Sequence, residues 1–432
     1  MTTTINNEHK KLNVPNKREQ NQTCLDSAER EGLSPKGNVP TLRFPEFQGE
    51  WEELGLSELL DFKNGLNPKP DKFGKGIKFI SVMDILNNAV ITYDCIKASV
   101  DVTEKELADF SVEKGDILFQ RSSETLEDVG RANVYMDDKT AVFGGFVIRG
   151  KKKGEYDPQY FNYLLRSPFA RKRIIPMGAG AQHFNIGQEG LSKVKLHFAN
   201  IEEQKKIGKM LSLLDERIST QNKIIEDLKK LKSAIIDYAI NSIDADFIKF
   251  SSLYEIAGEG GTPTTSNASF YDNGKIPFIK IDDLKKKYLT ENKDFITELG
   301  LQKSSAWLVP SRSILFSNGA TIGEITITTY PVCTKQGILG IVPKPNIDVE
   351  FLYYFMSSSY FKKAVSRIVT EGTMKTAYLK DINNIRCPIP TKGKQQEIAQ
   401  MPSALSSKID FEQSILKLFY AQKQYLLRQM FI

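Results

Sequence analysis

Short apolar runs bounded by glycine and proline alternate along this chain with longer stretches of helical periodicity. A first set of runs predicts strands at 77–83, 115–120, 132–136 and 141–148. A second set predicts strands at 276–282, 312–317, 324–328 and 337–342. A helix follows each set, opened by Asp157-Pro158 and by Asp348. At both starts the aspartate can accept hydrogen bonds from the free amides of the first turn.

The two sets are copies of one another. Residues 77–84 reappear at 276–283, an offset of 199, and residues 112–119 reappear at 309–316, an offset of 197. Residues 157–171 reappear at 348–362 with an offset of 191, which then holds to the end of the repeat. A slowly drifting offset is what a duplicated domain with small deletions produces, because chance matches would scatter. The sequence therefore predicts a tandem repeat.

Each half ends in a long amphipathic helix whose apolar positions recur at alternating spacings of four and three residues, which is the pattern of a coiled-coil seam. The seam positions are Leu211, Leu214, Ile218, Ile225 and Leu228 in the first helix, and Leu405, Ile409, Leu416 and Phe419 in the second. Both seams turn polar at equivalent places, Gln221 with Glu412 and Lys232 with Lys423. Matched interruptions predict that the two helices pair with each other. Inheritance from one ancestral helix is the alternative explanation.

Pro402 falls at a core position of the second seam. An interior proline removes a hydrogen-bond donor and clashes with the preceding turn. We therefore expect the second helix to kink there, or to begin at Pro402 with residues 395–400 as a separate turn. Helices of roughly 35–40 residues, at about 1.5 Å per residue, would hold two globular domains at a fixed separation.

Composition narrows the class of protein only slightly. The 432 residues allow two or three domains, and a net charge of +6 permits a nucleic-acid partner without requiring one. The four cysteines lie far apart with no Cys-x-x-Cys pair, which argues against a zinc site or disulfides and favours a reducing cytoplasm. Residues 1–38 are polar and lack an apolar signal core, so we expect a disordered arm and no export.

Catalytic motifs are absent or better explained otherwise. There is no Gly-x-x-x-x-Gly-Lys-Ser/Thr phosphate loop, and three histidines offer little for a metal or triad site. Asp157-Pro158-Gln159-Tyr160 comes near the amino-methyltransferase motif that holds a flipped base, but Gln159 replaces its second proline. The equivalent residues 348–351 have lost the pattern, whereas a helix start explains both copies. Asp283-Leu284-Lys285 lacks the second acid that a nuclease centre needs.

Several segments resemble the specificity subunits of type I restriction–modification systems from Gram-positive, staphylococcal-like bacteria. The resemblance rests on residues 39–47, 51–53, 276–284 and 314–323, and on the transitions into the helices at 182–186 and 203–207. It covers about residues 39–432. One departure is the loop at 372–379, which lacks the Gln-x-x-Asn of residues 182–185.

The resemblance implies an α+β fold with two tandemly repeated α/β target-recognition domains. Each domain is followed by a long helix, and the two helices pair as an antiparallel coiled coil. The expected segments are a disordered arm (1–38), a first recognition domain (39–198), a central spacer helix (199–245), a second recognition domain (246–390) and a C-terminal helix (391–432).

The implied function is recognition of a split, asymmetric site on double-stranded DNA, one half by each domain. The helices would dock two modification subunits, which carry S-adenosylmethionine and methylate adenine, and restriction subunits would add ATP- and magnesium-dependent cleavage. This chain would hold no catalytic residue, cofactor or metal. The alternatives are a stand-alone methyltransferase or nuclease, and an inactive coiled-coil scaffold copy. A DNA mimic would be acidic, and this chain is basic.

Residue type and loop position suggest the DNA contacts, with a surface or turn role as the alternative for each residue. The candidates for phosphate contacts are Lys69, Lys72, Lys75, Arg121 and Arg131 in the first domain, and Lys275, Lys280, Lys285, Lys335 and Lys375 in the second. The candidates for bidentate pairing with adenine are Gln182, Asn185, Asn318 and Gln336.

Overall fold

The computed structural model describes residues 37–180, 182–319, 321–369 and 375–432. The chain divides into two compact units. Unit 1 comprises the chain up to Ile218 together with Leu418–Ile432, and unit 2 comprises Ser219–Lys417. The predicted N-terminal arm lies outside the described residues except for its last two positions. Within the described ranges, no helix combines the length and apolar content that a membrane span needs.

Unit 1 contains the first repeat. Its strands are β1 (Glu52–Gly55), β2 (Leu60–Asn64), β3 (Phe73–Ile80), β4 (Ser99–Val100), β5 (Ser111–Val112), β6 (Ile117–Gln120), β7 (Ser122–Ser123), β8 (Ala132–Val134), β9 (Ala141–Phe143), β10 (Val147–Lys152), β11 (Phe184–Asn185) and β12 (Lys195–Phe198). Its helices are α1 (Leu56–Leu59), α2 (Val82–Asn87), α3 (Glu104–Phe110), α4 (Pro158–Arg166), α5 (Pro168–Ile174), α6 (Gln188–Ser192) and the first part of α7 (Ile201–Asn241).

Two four-stranded sheets form the body of unit 1. One has the order β2-β10-β6-β8 and is antiparallel, and the other has the order β4-β3-β9-β5 with β3 and β9 parallel. The main core packs the first sheet against α4, α5 and the start of α7, and the last residues of the chain close it. Trp51 contacts the ring of Phe431 at 6.3 Å in this core. The C-terminus of the chain is therefore part of the first repeat's core.

Unit 2 repeats this architecture. Its strands are β13 (Phe247–Lys249), β14 (Tyr254–Glu259), β15 (Ile276–Ile279), β16 (Tyr288–Leu289), β17 (Asp294–Ile296), β18 (Ile314–Ser317), β19 (Ile325–Thr328), β20 (Cys333–Thr334), β21 (Ile338–Pro343) and β22 (Arg386–Pro388). Its helices are the rest of α7, then α8 (Glu298–Gln302), α9 (Val349–Ser357), α10 (Ser359–Ile368), α11 (Leu379–Ile382) and most of α12 (Lys392–Gln429).

The strand orders of the two units correspond. The order β14-β21-β18-β19 in unit 2 matches β2-β10-β6-β8, and β17-β15-β20 matches β4-β3-β9. The second sheet of each unit contains a parallel pair that joins distant segments. The pair is β3 with β9 in unit 1 and β15 with β20 in unit 2. The predicted α+β fold with two repeats is confirmed.

The strand predicted at 77–83 ends at Ile80 because α2 begins at Val82, and the strand predicted at 141–148 is also wrong in extent. Residues 141–148 form two strands, β9 and β10, which belong to different sheets and are separated by Gly144-Gly145. The backbone turns there against the ring of Phe79, which would lie 2.6 Å from a Cβ at position 144. The apolar run continues on both sides because both strands are buried, so hydrophobicity alone hides the turn.

The aspartates at the two helix starts act as caps, as predicted. Asp157 Oδ1 accepts from the amide of Tyr160 at 2.8 Å, and Asp348 Oδ1 accepts from the amide of Phe351 at 3.0 Å. The amide of each aspartate donates to a buried glutamine of a long helix, Gln204 at 2.9 Å and Gln395 at 2.8 Å. Gln204 therefore anchors the start of α4 to α7, and Gln395 anchors the start of α9 to α12.

The two long helices pair, and their contacts within unit 2 fix an antiparallel direction. Gln221 on α7 donates through Nε2 to the carbonyl of Glu412 at 3.1 Å and to its carboxylate. Eleven positions later, Lys232 reaches Ser406 on α12 at 3.5 Å. The partner number falls as the α7 number rises, which is the antiparallel case. The predicted apolar seam residues are buried or half-buried: Leu211, Leu214, Ile218, Ile225, Leu228, Leu405, Ile409, Leu416 and Phe419.

The alternative of a helix that begins at Pro402 is wrong, because α12 runs without a break from Lys392 to Gln429. A proline inside a helix costs about 3 kcal/mol. Tertiary contacts on both sides offset that cost. Gln395 is buried and accepts from the amide of Asp348 at 2.8 Å, and Ala399 lies in the core of unit 2. Beyond the proline, Ser406 contacts the hydroxyl of Tyr354 at 3.2 Å.

Candidate nucleic-acid interface

Three segments of unit 1 meet at the end of β6. The amide of Arg121 donates to the carbonyl of Phe146 at 2.9 Å, and the amide of Ile186 donates to the carbonyl of Arg121 at 2.9 Å. The main chain of Arg121 therefore holds a turn on one side and a loop on the other. We call residues 121–123, 144–146, 179–180 and 182–186 loop cluster 1.

Unit 2 builds the same arrangement at the end of β18. The amide of Asn318 donates to the carbonyl of Gly337 at 3.0 Å, and the amide of Ala377 donates to the carbonyl of Asn318 at 2.9 Å. Main-chain bonds tie the turn to the neighbouring strand in both units, Gly144 to Ile80 at 3.0 Å and Lys335 to Ile279 at 2.9 Å. We call residues 317–319, 335–337 and 375–377 loop cluster 2. The scaffold is the same in both units, while the side chains on it differ.

Loop cluster 1 contains three of the predicted DNA contacts. Arg121 is half-buried, and its Nη1 lies 3.4 Å from the carbonyl of Gly145. Asn185 is exposed, accepts a hydrogen bond from the hydroxyl of Ser122 and donates to the carbonyl of His183 at 3.3 Å. Gln182 is exposed in the same loop. These side chains converge from segments far apart in sequence, which is how a recognition surface is assembled from loops on a rigid scaffold.

Sequence reasoning missed the apolar surface beside these loops. Phe73, Met83 and Phe146 are exposed by 42%, 59% and 68%. They border a cavity of about 420 Å³ that Asn67 and Ser122 also line. Met83 and Phe146 fall within the apolar runs 77–83 and 141–148 that the sequence predicts as strands, so the sequence pattern does not distinguish them from core residues. Exposed apolar side chains beside polar loops suit contact with thymine methyl groups or with unstacked bases.

Loop cluster 2 presents cationic and amide side chains instead. Lys335, Gln336 and Lys375 are exposed, and the amide of Gln336 donates to the hydroxyl of Thr262 at 3.3 Å. Residues 370–374, which include the first part of the loop at 372–379, lie outside the described residues. The two clusters therefore offer different chemistry on equivalent backbone.

Asn318 requires a correction. Its side chain is 1% exposed, and its Nδ2 donates to the carbonyl of Ala377 at 3.3 Å. A side chain that holds two loops together inside the unit is not available to the edge of an adenine. Asn318 is the positional equivalent of Arg121, and the smaller amide fits inside the cluster where the longer guanidinium reaches out.

The other predicted phosphate contacts lie outside the two clusters, and most of them pair with carboxylates at the surface. The ion pairs are Lys72 and Lys75 with Asp101 at 3.5 Å each, Arg131 with Asp128 at 2.6 Å, Lys280 with Asp294 at 2.7 Å and Lys285 with Asp282 at 2.9 Å. Lys69 and Lys275 are exposed. Exposed ion pairs of this kind contribute roughly 0–1 kcal/mol, so a phosphate can replace the carboxylate at little cost.

The lysine run 285–287 is not uniformly a surface feature. Lys287 is half-buried, forms an ion pair with Glu350 and donates to the hydroxyl of Ser403 at 3.0 Å. Its ammonium lies 4.7 Å from the ring centre of Tyr354. Lys287 therefore joins β16 to α9 and α12, whereas Lys285 and Lys286 are exposed and pair at the surface with Asp282 and Glu291.

The methyltransferase-like residues are structural. Tyr160 is fully buried, and its hydroxyl accepts from the amide of Ala199 at 3.3 Å. Burial raises the pKa of Tyr160 far above its ordinary value. A ring enclosed in the core cannot stack on a base, which leaves helix capping as the role of this motif.

Comparison with known proteins gives one family. The family model for the type I restriction modification DNA specificity domain matches residues 48–230 and 243–418, one match for each repeat. The putative type I restriction enzyme MjaX specificity subunit of Methanocaldococcus jannaschii is 25% identical over 399 residues, which is 87% of this chain and 91% of that protein. The EcoR124I/EcoR124II specificity subunit of Escherichia coli is 27% identical over 148 residues, covering 33% of this chain and 36% of that protein.

Solved structures with the same fold agree. The S subunit of the type I restriction-modification system from M. genitalium aligns with a TM-score of 0.53 at 17% identity, covering 91% of this chain and 99% of that one. A chain solved to explain complex assembly and conformational transition of the type I R-M system aligns at 0.58 and 14% identity, covering 87% and 96%. With both repeats matched by the family model, the chain belongs to the family of type I restriction modification DNA specificity subunits.

Proposed function

We propose that this chain, a non-catalytic DNA-specificity subunit, reads a two-part asymmetric site on double-stranded DNA, with one half contacted by each loop cluster. The observation that carries the proposal is the repeated backbone arrangement around Arg121 and Asn318. It displays apolar and amide groups in unit 1, and lysine and glutamine side chains in unit 2. Equivalent scaffolds with different side chains suit two different half-sites.

We further propose that the domain bounds follow the repeat: 39–198 and 246–390 for recognition, and 199–245 and 391–432 for the helices, preceded by an arm at 1–38. The partners in this proposal are two modification subunits and the restriction subunits in the cytoplasm. Those subunits would bind S-adenosylmethionine, ATP and magnesium. The proposed Gram-positive, staphylococcal-like origin rests on the resemblance of residues 39–47, 51–53, 276–284 and 314–323.

An exposed apolar stripe on the helices of unit 2 supports the scaffold role. Ile224, Leu231 and Tyr238 recur at seven-residue spacing on α7, each one residue before a seam position, and all are exposed. Met401 and Phe411 on α12 are also exposed and occupy the positions that share this face in an antiparallel pair. Contiguous exposed apolar side chains mark a surface that another protein covers.

The seven-residue spacing continues along α12 within unit 1. Leu418 and Tyr425 are exposed by 69% and 57%. On the opposite side of the seam, positions such as Asp410, Lys417 and Gln424 are polar. We infer that the apolar side of the helix pair docks the modification subunits.

The function is tested by mapping methylated adenines. Expressed with a modification subunit in a host that lacks other adenine methyltransferases, the chain should produce one methylated two-part motif, read out by long-read sequencing. A purified chain that methylates DNA by itself would contradict the proposal. So would a continuous motif without an unspecified spacer.

Side-chain truncation in one loop cluster should affect one half-site. Arg121→Ala is expected to weaken binding to DNA about tenfold, with the loss confined to one half of the site, and Lys335→Ala should act on the other half. Because main-chain atoms form the backbone arrangement, neither change should disturb folding. Gel-shift titrations with each half-site scrambled in turn measure the effect. Loss of assembly with the modification subunit in either variant would contradict this assignment.

Charged substitutions in the apolar stripe should impair assembly with the modification subunit and leave folding unchanged. Leu231→Glu combined with Phe411→Glu is expected to weaken binding to the modification subunit by about 100-fold or more, since two buried apolar contacts are lost. Lys229→Glu, on the same helix but outside the stripe, is the control and should bind normally. Co-purification and analytical ultracentrifugation report assembly, and circular dichroism reports folding. Normal assembly of the double variant would refute the docking surface.

A further inference from the structure

Cationic side chains converge on a second cavity of unit 1. It has a volume of about 410 Å³ and is lined by Arg131, Arg166, Arg171 and Lys423, with Asn88 and Gln424 beside them. Glu127 is the acidic residue in the lining. The residues come from the segment before β8, the helices α4 and α5, and the end of α12, so tertiary packing alone brings these charges together.

The carboxylates near this cavity do not neutralise all of its cations. Arg131 pairs with Asp128 at 2.6 Å and Lys423 pairs with Asp215 at 2.5 Å. Arg171 instead donates through Nη2 to the backbone carbonyls of Glu127 at 2.9 Å and Val129 at 2.6 Å. Its Nη1 is buried with no hydrogen-bond partner among the described residues.

Arg166 is in a similar position, since its Nη2 donates to the carbonyl of Asn88 at 3.2 Å. Burial, together with the positive charge of Arg131, lowers the pKa of Arg171 to about 10. Burial also lowers the pKa of Arg166, although the nearby carboxylate of Asp215 opposes this shift. The half-buried guanidinium groups of Arg166 and Arg171 would thus be stabilised by an incoming anion.

The fold does not require these arginines. In unit 2, the offset of 191 places Ser357 at the position of Arg166 and Lys362 at that of Arg171. The ladders β6·β8 and β18·β19 pair Phe119 with Ala132 and Phe316 with Ile325, so Glu324 stands in place of Arg131. The same architecture folds with a neutral and an acidic residue there. A purely structural role for the whole cluster is therefore a poor explanation.

The cavity adjoins loop cluster 1. The amide of Gln120 donates to the carbonyl of Arg131 at 2.7 Å, and Arg121 is the next residue along β6. The amide of Gly130 donates back to the carbonyl of Gln120 at 3.0 Å. A duplex whose bases reach loop cluster 1 would bring its sugar-phosphate backbone near this strand pair.

We propose that the cavity lined by Arg131, Arg166 and Arg171 binds a backbone phosphate of the DNA half-site that loop cluster 1 reads. This inference rests on the proposed function. Guanidinium groups present paired N–H donors that match two oxygens of a phosphate. The site belongs to unit 1 only, so backbone contacts contribute unequally to the two half-sites.

The first test is the salt dependence of DNA binding. The full chain, co-purified with its modification subunit, is titrated with a duplex that carries the mapped site at several KCl concentrations. Arg131→Gln, at an exposed position, and Arg166→Ser, which installs the residue of unit 2, should each reduce the slope of log K against log salt by about 1. Lys172→Gln, on the same helix as Arg171 but outside the cavity, is the control with an unchanged slope.

The second test removes single charges from the DNA. A neutral methylphosphonate at one phosphate of the unit 1 half-site should weaken binding by wild type about tenfold. The same substitution should have little further effect on Arg131→Gln. If the methylphosphonate and Arg131→Gln weaken binding additively at every phosphate, the proposal is overturned. Normal DNA binding by both variants together with lost assembly would also overturn it, because the anion would then be a carboxylate of the partner. If wild type binds no duplex at all, the proposed function fails instead.

Discussion

Replacing Arg43 by alanine is expected to lower the free energy of unfolding by about 3–5 kcal/mol, because it strands a buried carboxylate. Arg43 lies before β1 and contacts the start of α7. Its Nε and Nη2 donate to Glu203 Oε1 and Oε2 at 2.8 and 2.7 Å. The side chains of Arg43 and Glu203 are 12% and 0% exposed. Without its partner, Glu203 would keep the cost of desolvation and lose the attraction that compensates for it.

Urea titration followed by circular dichroism measures this effect as a shift of the first unfolding transition. Lys206→Ala is a matched control on the same helix, since its ion pair with Glu46 is about half exposed on both sides. Exposed pairs of this kind contribute roughly 0–1 kcal/mol. An unfolding midpoint for Arg43→Ala as high as that of the control would show that the buried pair is not needed.

Exchanging the equivalent residues Asp215 of unit 1 and Ser406 of unit 2 is expected to lower the stability of unit 1 and to raise that of unit 2. In unit 1, Asp215 on α7 accepts from the hydroxyl of Tyr163 at 2.7 Å and pairs with Lys423 at 2.5 Å. In unit 2, the equivalent layer joins Tyr354 and Lys232 to Ser406, at 3.2 and 3.5 Å. A carboxylate thus faces one lysine, and a hydroxyl faces the other.

Asp215→Ser should destabilise unit 1 by about 1–3 kcal/mol, because Lys423 is only 16% exposed and loses its counter-ion. Ser406→Asp should stabilise unit 2 by about 1 kcal/mol, because it supplies the carboxylate that Lys232 lacks. Denaturant titrations of both variants and of wild type measure the pair. A loss of stability in both variants would mean that the layers are not interchangeable.

The pH dependence of the Ser406→Asp effect has a definite sign. Burial lowers the pKa of Lys232 below its ordinary value of 10.5. In wild type, the cost of burying the charged amine is therefore fully present at neutral pH, and it is relieved as the pH rises through the lowered pKa. The advantage of Ser406→Asp should therefore shrink as the pH rises through the lowered pKa of Lys232. A pH-independent difference would contradict this cause.

Local patterns carried much of the fold. The four-three spacing of the long helices predicted the seam, and Leu211, Ile225 and Ile409 are buried in it. The aspartate caps at 157 and 348 followed from residue type at a helix start, because capping depends on neighbours within one turn. The drifting offset predicted the duplication, since a repeat is a property of the chain alone.

Long-range packing explains where the expectations failed. Pro402 sits inside an unbroken helix because Asp348 contacts Gln395 on one side of it and Tyr354 contacts Ser406 on the other. Asn318 is buried because Ala377, distant in sequence, closes over it. In both cases the partner that decides the outcome lies tens of residues away or more.

Some candidate DNA contacts could be predicted from the sequence, and others depend on the tertiary structure. Residue chemistry picked out Arg121, Asn185, Lys335 and Gln336, and these four lie in the loop clusters. Periodicity and residue type could not reveal the exposed Phe146, the arginines around the second cavity or the partner of Arg43, because each depends on which segments meet. The chain's own pattern determined a duplicated, helix-paired architecture without a catalytic motif, and the resemblance to specificity subunits implied that it reads DNA. Tertiary structure decided which side chains are exposed and where charged groups cluster. Burial and electrostatic interactions depend on distances in space, and residues far apart in sequence can be neighbours in the fold.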